Sequence, residues 1–382
     1  MNMTEKLYYT DAYIKEFEAR VLSAEKSGEL YDVVLDKTAF FPEEGGQSSD
    51  RGFIGSSRVL DVWETDGEIH HFCDTPPTIG EKTVCKLDFD ERFEKMQCHT
   101  AEHLLCGVIH KLFGFENTGF HLSDEQVVFD VSGVLTKEDI EKVSALANGA
   151  VYENRPVNTY FPTESELPSL EYRSKLDLKA GVRIVEIEGY DSCACCAPHV
   201  SSTGEIGFIS ILNFEKHRGG TRIYMLAGRR AERDFVKRMG VLRRISALTS
   251  EPQLTADNAV ERIVGECEEL RQELKAQRMS EAAMRAEMLT STDGNLVVRI
   301  PHFGIPELIA FSNTALPKVG GILVCLGGED GDFKYVISSR TQNLRARAGE
   351  INSALCGRGG GREGMIQGSF GATLSEIEKF FS

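Results

Sequence analysis

Two residue pairs carry the strongest chemical signal in the 382-residue sequence. His99 and His103 stand four apart in ERFEKMQCHTAEHLLCGVIHKL (91–112), and Cys195 and His199 stand four apart in DSCACCAPHV (191–200). Four residues of helix turn about 400°, so the first two imidazoles lie about 40° apart on one face. Three imidazoles and a thiolate make a borderline N/S donor set that suits Zn²⁺. Cys193 and Cys196 are rival thiolates in the same loop. Four protein ligands usually close a structural zinc, whereas a catalytic zinc keeps a position for water, so the donor set alone leaves both readings open. Glu102 turns only about 60° from His99, which permits a general base, but an ordinary solvated or helix-pairing glutamate is the preferred reading. Cys106 and His110 read as packing.

These residues need elements to hold them. In 91–112, Ala101, Leu105, Val108, Ile109 and Leu112 recur at helical spacing beside the two histidines. Residues 1–90 read as short strands cut by PEEGGQ and DTPPTIG turns, a small barrel or sandwich. QVVFDV, a helix near 136–152, PVNTYFP, VRIVEI and a hairpin over 204–228 then follow in α+β order. Residues 228–290 are helix-rich, and Val260, Ile263, Cys267, Leu270 and Leu274 step by three and four. That seam is either a spacer packed on its own chain or a contact between two copies. Residues 295–382 read as an α/β domain in which LVVRI, GILVCLGG and FKYVISS are buried strands. A Gly/Arg-rich loop and a helix at 373–381 follow them. The expected fold class is therefore α+β multidomain, with boundaries at 1–90, 91–240, 241–292 and 293–382.

Composition narrows the function. The net charge of −16 argues against a general polyanion binder. Residues 334–362, however, carry six cations against the single acid Glu350, a net +5 in 29 residues, so any nucleic-acid grip is local and C-terminal. The first ten residues have no apolar core of a signal peptide, and no apolar run nears the ~20 residues of a membrane span. The expectation is a cytoplasmic chain whose ten cysteines stay reduced and free for metal. Gly359, Gly361 and Gly364 match G-x-G-x-x-G. They do not open a βαβ unit, so they read as a phosphate-gripping surface rather than a dinucleotide site.

Taken together the chain resembles the stand-alone, long-type alanyl-tRNA editing proteins, relatives of the editing part of alanyl-tRNA synthetase. The resemblance rests on TAFFPEEGGQSSDRG (38–52), HTAEHLL (99–105), CCAPHVSSTGEIGFISI (195–211) and RARAGEINSALCGRGGGREGMIQGSF (345–370). Phe41 stands where the family has Tyr, Glu44 replaces the first glycine of its glycine-rich loop, and Cys196-Ala197-Pro198 fill the interior of the third motif. The resemblance implies an N-terminal β-barrel and a zinc-bearing core of the threonyl/alanyl-tRNA synthetase second-additional-domain type. It further implies a helical linker and a C-terminal DHHA1 domain. It implies hydrolysis of tRNA(Ala) mischarged with serine, and secondly glycine. One Zn²⁺ per chain would be held by His99, His103, Cys195 and His199. Gln47 would lie at the site, and Thr38 is the candidate reader of the serine hydroxyl, since a pocket that must bond a hydroxyl can reject its absence by roughly 10⁴-fold. Arg345, Arg347, Arg358, Gly359, Gly360, Gly361 and Arg362 would contact tRNA. The competing reading is a zinc-stabilised tRNA-binding module without catalysis.

Overall fold

The computed structural model describes residues 3–124, 126–174 and 181–382. It divides into two compact units, Met1–Val241 and Leu242–Ser382.

The first unit opens with β1 (Glu5–Lys6), β2 (Glu16–Ser27), β3 (Leu30–Leu35), β4 (Lys37–Thr38), β5 (Gly52–Ile54), β6 (Ser57–Thr65), β7 (Glu68–Cys73) and β8 (Lys82–Leu87). Alternating apolar residues such as Val59 and Val62 turn inward, and six strands pair in the order β2-β3-β7-β6-β5-β8 and close on themselves. α1 (Phe89–Phe113) follows, one or two residues longer at each end than the sequence pattern predicts. Asp90 and Glu91 occupy its first turn, and Gly114 ends it at φ 70°, a left-handed position that suits glycine. α1 is buried on nearly every side between Arg92 and Ile109, so the polar residues along it must all find partners.

β9 (Asn117–Leu122), β10 (Val127–Val131), α2 (Lys137–Glu153), β11 (Val157–Tyr160), β12 (Ile184–Ile187), β13 (Asp191–Ala194), β14 (Ile209–His217), β15 (Gly220–Ala227) and α3 (Gly228–Thr249) complete the region. They form an antiparallel sheet β14-β15-β10-β9 and a second one, β11-β12-β13. Leu104, Leu105 and Val108 of α1 share one core with Val143 and Ala147 of α2 and Phe129 and Met225 of the larger sheet. Gly107 lets β13 lie against α1, because a Cβ there would fall 2.6 Å from the Asp191 side chain. The loop that follows β13, with Cys195 and His199, is therefore carried to α1, which bears His99 and His103.

The second unit contains α4 (Ala256–Met288), β16 (Leu296–Arg299), α5 (Ile305–Ala315), β17 (Ile322–Glu329), β18 (Asp332–Ser339), α6 (Leu344–Ala354), β19 (Gly357–Arg362), β20 (Met365–Phe370) and α7 (Leu374–Phe381). Its sheet runs β16-β17-β18-β20-β19, parallel between the first two strands and antiparallel elsewhere. Here the structure departs from the sequence reading: the Gly/Arg-rich segment is not a loop but the edge strand β19. Its glycines explain this. A Cβ on Gly357 or Gly359 would collide with the rings of Phe370 or Tyr335, which stack 4.0 Å apart beneath the strand. A Cβ on Gly360, on the other face, meets nothing. The α4 seam also departs from one expectation. Val260, Ile263, Leu270 and Leu274 are about half exposed or more, and the buried positions of α4 are alanines near its two ends. The seam is thus not packed on its own chain among the described residues. No described helix is long and apolar enough to cross a membrane.

Candidate metal centre

The residues that precede α1 are laid along it in reverse order. Arg92, near the helix start, bonds the Asp50 carboxylate through Nε (2.8 and 2.9 Å) and Nη2, and it also donates to the Ala39 carbonyl. One turn on, Lys95 donates to the Ser49 carbonyl at 2.6 Å. One turn further, His99 Nδ1 meets Gln47 Oε1 at 2.7 Å. The Asp50–Arg92 pair is almost fully enclosed, so its geometry fixes the glycine-rich segment on the helix rather than leaving it as a surface turn.

His99, His103, Cys195 and His199 come together, with one donor atom of each lying within 4.8 Å of the others. Cys195 Sγ lies 3.7 Å from His99 Nε2 and 3.4 Å from His199 Nε2. A tetrahedral zinc, with bonds of about 2.0–2.1 Å to nitrogen and about 2.3 Å to sulfur, sets nitrogen and sulfur about 3.5 Å apart. The donor spacing and chemistry therefore fit that ion. The opposite nitrogen is hydrogen-bonded from behind in two rings and faces a carboxylate in the third. His99 faces Gln47, and His199 Nδ1 donates to Thr100 Oγ1 at 3.0 Å, whose own proton goes to the Met96 carbonyl. His103 Nδ1 lies 3.4 Å from Asp191 Oδ2, and Arg173 clamps that carboxylate at 2.7 and 2.8 Å. Such outer partners fix the tautomer that leaves Nε2 bare for a metal.

The electrostatics agree. Burial opposes the Cys195 thiolate, but His99, His199 and His103 outweigh it and hold the thiol well below its ordinary range. Burial keeps His199 neutral, pushing it down to about 3. Burial also opposes a charged His103, yet Cys193, Asp191 and Cys195 raise it well above its ordinary value, a proton that a metal would displace. Of the two rival thiols, Cys193 groups with Asp191 beside His103, and burial pushes it up to about 11. Burial likewise raises Cys196. Cys195 is the thiol placed among all three imidazoles.

A cavity of about 610 Å³ opens beside the centre. His99, His103 and Cys195 line it, together with Glu102, Asn117, Arg173 and Arg183, and with the aromatic rings of Tyr9, Phe120 and Phe161. Arg183 donates to the Cys195 and Ala197 carbonyls and so braces the ligand loop. Two expectations change. Thr38 is fully enclosed and does not line the cavity; its hydroxyl bonds His71 Nε2 at 2.9 Å and accepts from the Phe40 amide. It is therefore not placed to read a substrate hydroxyl. Glu102 is not solvated, being only 3% exposed. Gln47 is also enclosed, and it reaches the centre only through His99. The sequence pattern does not point to Asp191, Thr100 or Arg173. Of these, Asp191 alone carries a visible signal, as an acid two residues from a cysteine in a thiol-rich loop.

In the second unit, Arg358 and Arg362 are exposed and share a face of β19 with Gly360. α6, which carries the exposed Arg345 and the half-buried Arg347, packs along β19, and Asn352 donates to the Gly359 carbonyl. Gly361, like Gly357 and Gly359, is on the face turned to the sheet.

The Threonyl and Alanyl tRNA synthetase second additional domain matches residues 182–224, which include Cys195 and His199. The alanyl-tRNA editing protein AlaX-L of Pyrococcus horikoshii is 28% identical, across 98% of this chain and 96% of its own length. The chain resembles the alanyl-tRNA editing proteins. The editing protein Aarsd1 of Rattus norvegicus is also 28% identical, across 94% of this chain and 92% of its own. An alanine–tRNA ligase of Archaeoglobus fulgidus is 29% identical, but the chain spans only 43% of that enzyme. The similarity to the editing proteins is thus end to end, whereas that to the ligase covers a part.

Proposed function

We propose that this protein hydrolyses the ester of tRNA(Ala) mischarged with serine, and secondly with glycine, by zinc-assisted catalysis. The observation that carries the reading is the convergence of three imidazole nitrogens and a low-pKa thiol at the wall of a cavity large enough for an aminoacylated nucleoside. A zinc ion bound there would polarise an ester carbonyl and lower the pKa of water from 15.7 to about 7. Gln47, Thr100 and Asp191 orient the imidazoles, and Thr38 acts as a positioning residue at the base of the glycine-rich segment. The aromatic rings at the cavity offer stacking faces for the terminal base, an interaction worth about 1–3 kcal/mol per base.

The chain reads as a trans-editing enzyme of four parts. These are a β-barrel over 1–90, an editing core over 91–240, a helical linker over 241–292 and a DHHA1-type domain over 293–382. Arg345, Arg347, Arg358 and Arg362 of the last part would grip tRNA phosphates, with Gly359, Gly360 and Gly361 letting the backbone approach. We place a homodimer through the linker and C-terminal domain, the exposed α4 seam supporting the first of these. A tRNA substrate implies action in the cytoplasm. A zinc-stabilised tRNA-binding module without catalysis is the alternative, favoured by the closed four-ligand set and disfavoured by the adjoining cavity.

The deciding assay follows deacylation of seryl-, glycyl- and alanyl-tRNA(Ala) by the full-length protein, with and without chelator. Seryl ester should be cleaved, alanyl ester spared, and chelation should abolish cleavage while the protein stays folded. Binding of tRNA without cleavage of any ester would establish the alternative.

A further inference from the structure

We infer that Glu102 determines specificity by taking up the free α-ammonium group of the aminoacyl ester. The inference rests on the ester-hydrolase reading above and deepens it. Glu102 lies on α1 between two metal-ligating candidates, lines the cavity and is 3% exposed. Its Oε1 accepts from the Asn117 amide and, at 3.1 Å, from the Cys106 thiol, both neutral donors. Its Oε2 has no hydrogen-bond partner among the described residues, and none of their cations forms an ion pair with it. Other carboxylates around the cavity differ. Glu116 pairs with His110 at 3.0 Å, Glu44 is exposed to water, and Asp191 is matched by Arg173 and His103.

A buried carboxylate without a cation is costly, and the cost falls when a cationic ligand arrives. An aminoacyl ester brings one cation, fixed one carbon from the carbonyl under attack. Glu102, next to His103 and one turn from His99, lines the same cavity as the centre. Three of its features therefore point to the same ligand: burial, one oxygen uncommitted among the described residues, and a place on the cavity wall beside two metal-ligating candidates. The chemical class accepted is an ester with a free amine α to its carbonyl. Esters whose nitrogen is acylated or replaced are disfavoured.

The test compares seryl-tRNA(Ala) with its deaminated counterpart, in which nitrous acid has replaced the amine by a hydroxyl of similar size. The full-length wild-type protein should prefer the amino ester by about tenfold to a hundredfold in kcat/KM, the range a charge-assisted hydrogen bond supports. E102Q should lose that factor on the amino ester, treat both esters alike and keep the wild-type metal content. Equal wild-type rates on the two esters would overturn the proposal without any variant. A parallel loss on both esters in E102Q would overturn it too, assigning Glu102 to water activation or to the fold. Should the wild-type protein cleave neither ester, the hydrolase reading itself fails.

Discussion

Gln47 and His99 meet 2.7 Å apart, Oε1 against Nδ1, although 52 residues separate them in the chain. The contact joins the glycine-rich segment to the metal centre and turns the bare His99 Nε2 toward Cys195. Outer partners of this type are worth about 10–100-fold in metal affinity. Q47A should therefore release zinc about 10–100-fold more readily in competition with a chromophoric chelator, and Q47E, which keeps an acceptor, should recover much of the loss. Unchanged zinc affinity in Q47A would disprove the link.

Asp50 and Arg92 are 2% and 1% exposed, so removing either leaves a charge with neither counter-ion nor water, held only by backbone groups such as the Phe41 amide or the Ala39 carbonyl. Breaking such a pair costs about 3–5 kcal/mol. R92M should show a loss of that size by urea unfolding, together with weaker metal binding, because the same segment carries Gln47. R238M, which breaks the exposed pair with Asp234, should fall within the small range of surface ion pairs. Similar losses in the two variants would contradict the role given to the buried pair.

The four donors that meet at the candidate centre were legible because each pair repeats at four residues and the chain is rich in thiols beside them. α1 was legible because its apolar positions keep helical spacing. What escaped depended on partners that no local pattern encodes. Thr38 and Glu102 look alike in sequence as short polar stretches near motifs, but one is enclosed among β-strands and bonded to His71, while the other lines the cavity. β19 escaped because a run of glycines reads as a turn. Its strand pairing follows from Tyr335 and Phe370, which leave no room for side chains on one face. Asp191 escaped because its approach to His103 depends on the missing Cβ of Gly107.

His71 offers a pH test. It is fully enclosed, its Nδ1 donating to the Val33 carbonyl at 2.9 Å and its Nε2 accepting from Thr38. Burial pushes it down to about 4, outweighing the carbonyl contact. The unfolded chain takes up this proton near 6.5, the folded chain only near 4, so the stabilisation is present above 6.5 and is lost as pH falls from 6.5 to 4. At about 1.4 kcal/mol per pH unit the loss is about 3 kcal/mol. Urea unfolding across that window should show a steeper decline for wild type than for H71M, which has no proton to take up. Parallel declines would mean that His71 takes up its proton equally in the folded and unfolded chains.

Arg358 and Arg362 project from the exposed face of an edge strand, and neither is tied into an ion pair among the described residues. Free guanidinium groups on a glycine-lined strand can meet phosphates directly. For every phosphate no longer gripped, the dependence of log affinity on log salt falls by roughly 0.7–0.9. The double replacement R358A/R362A should weaken binding of full-length tRNA(Ala) and flatten its salt dependence by about two such steps. On the proposed function it should spare cleavage of a seryl acceptor-stem minihelix, because the residues of the candidate metal centre all belong to the first unit. Equal loss on tRNA and minihelix would place these arginines in the chemistry or the fold, and an unchanged salt dependence would remove them from the interface.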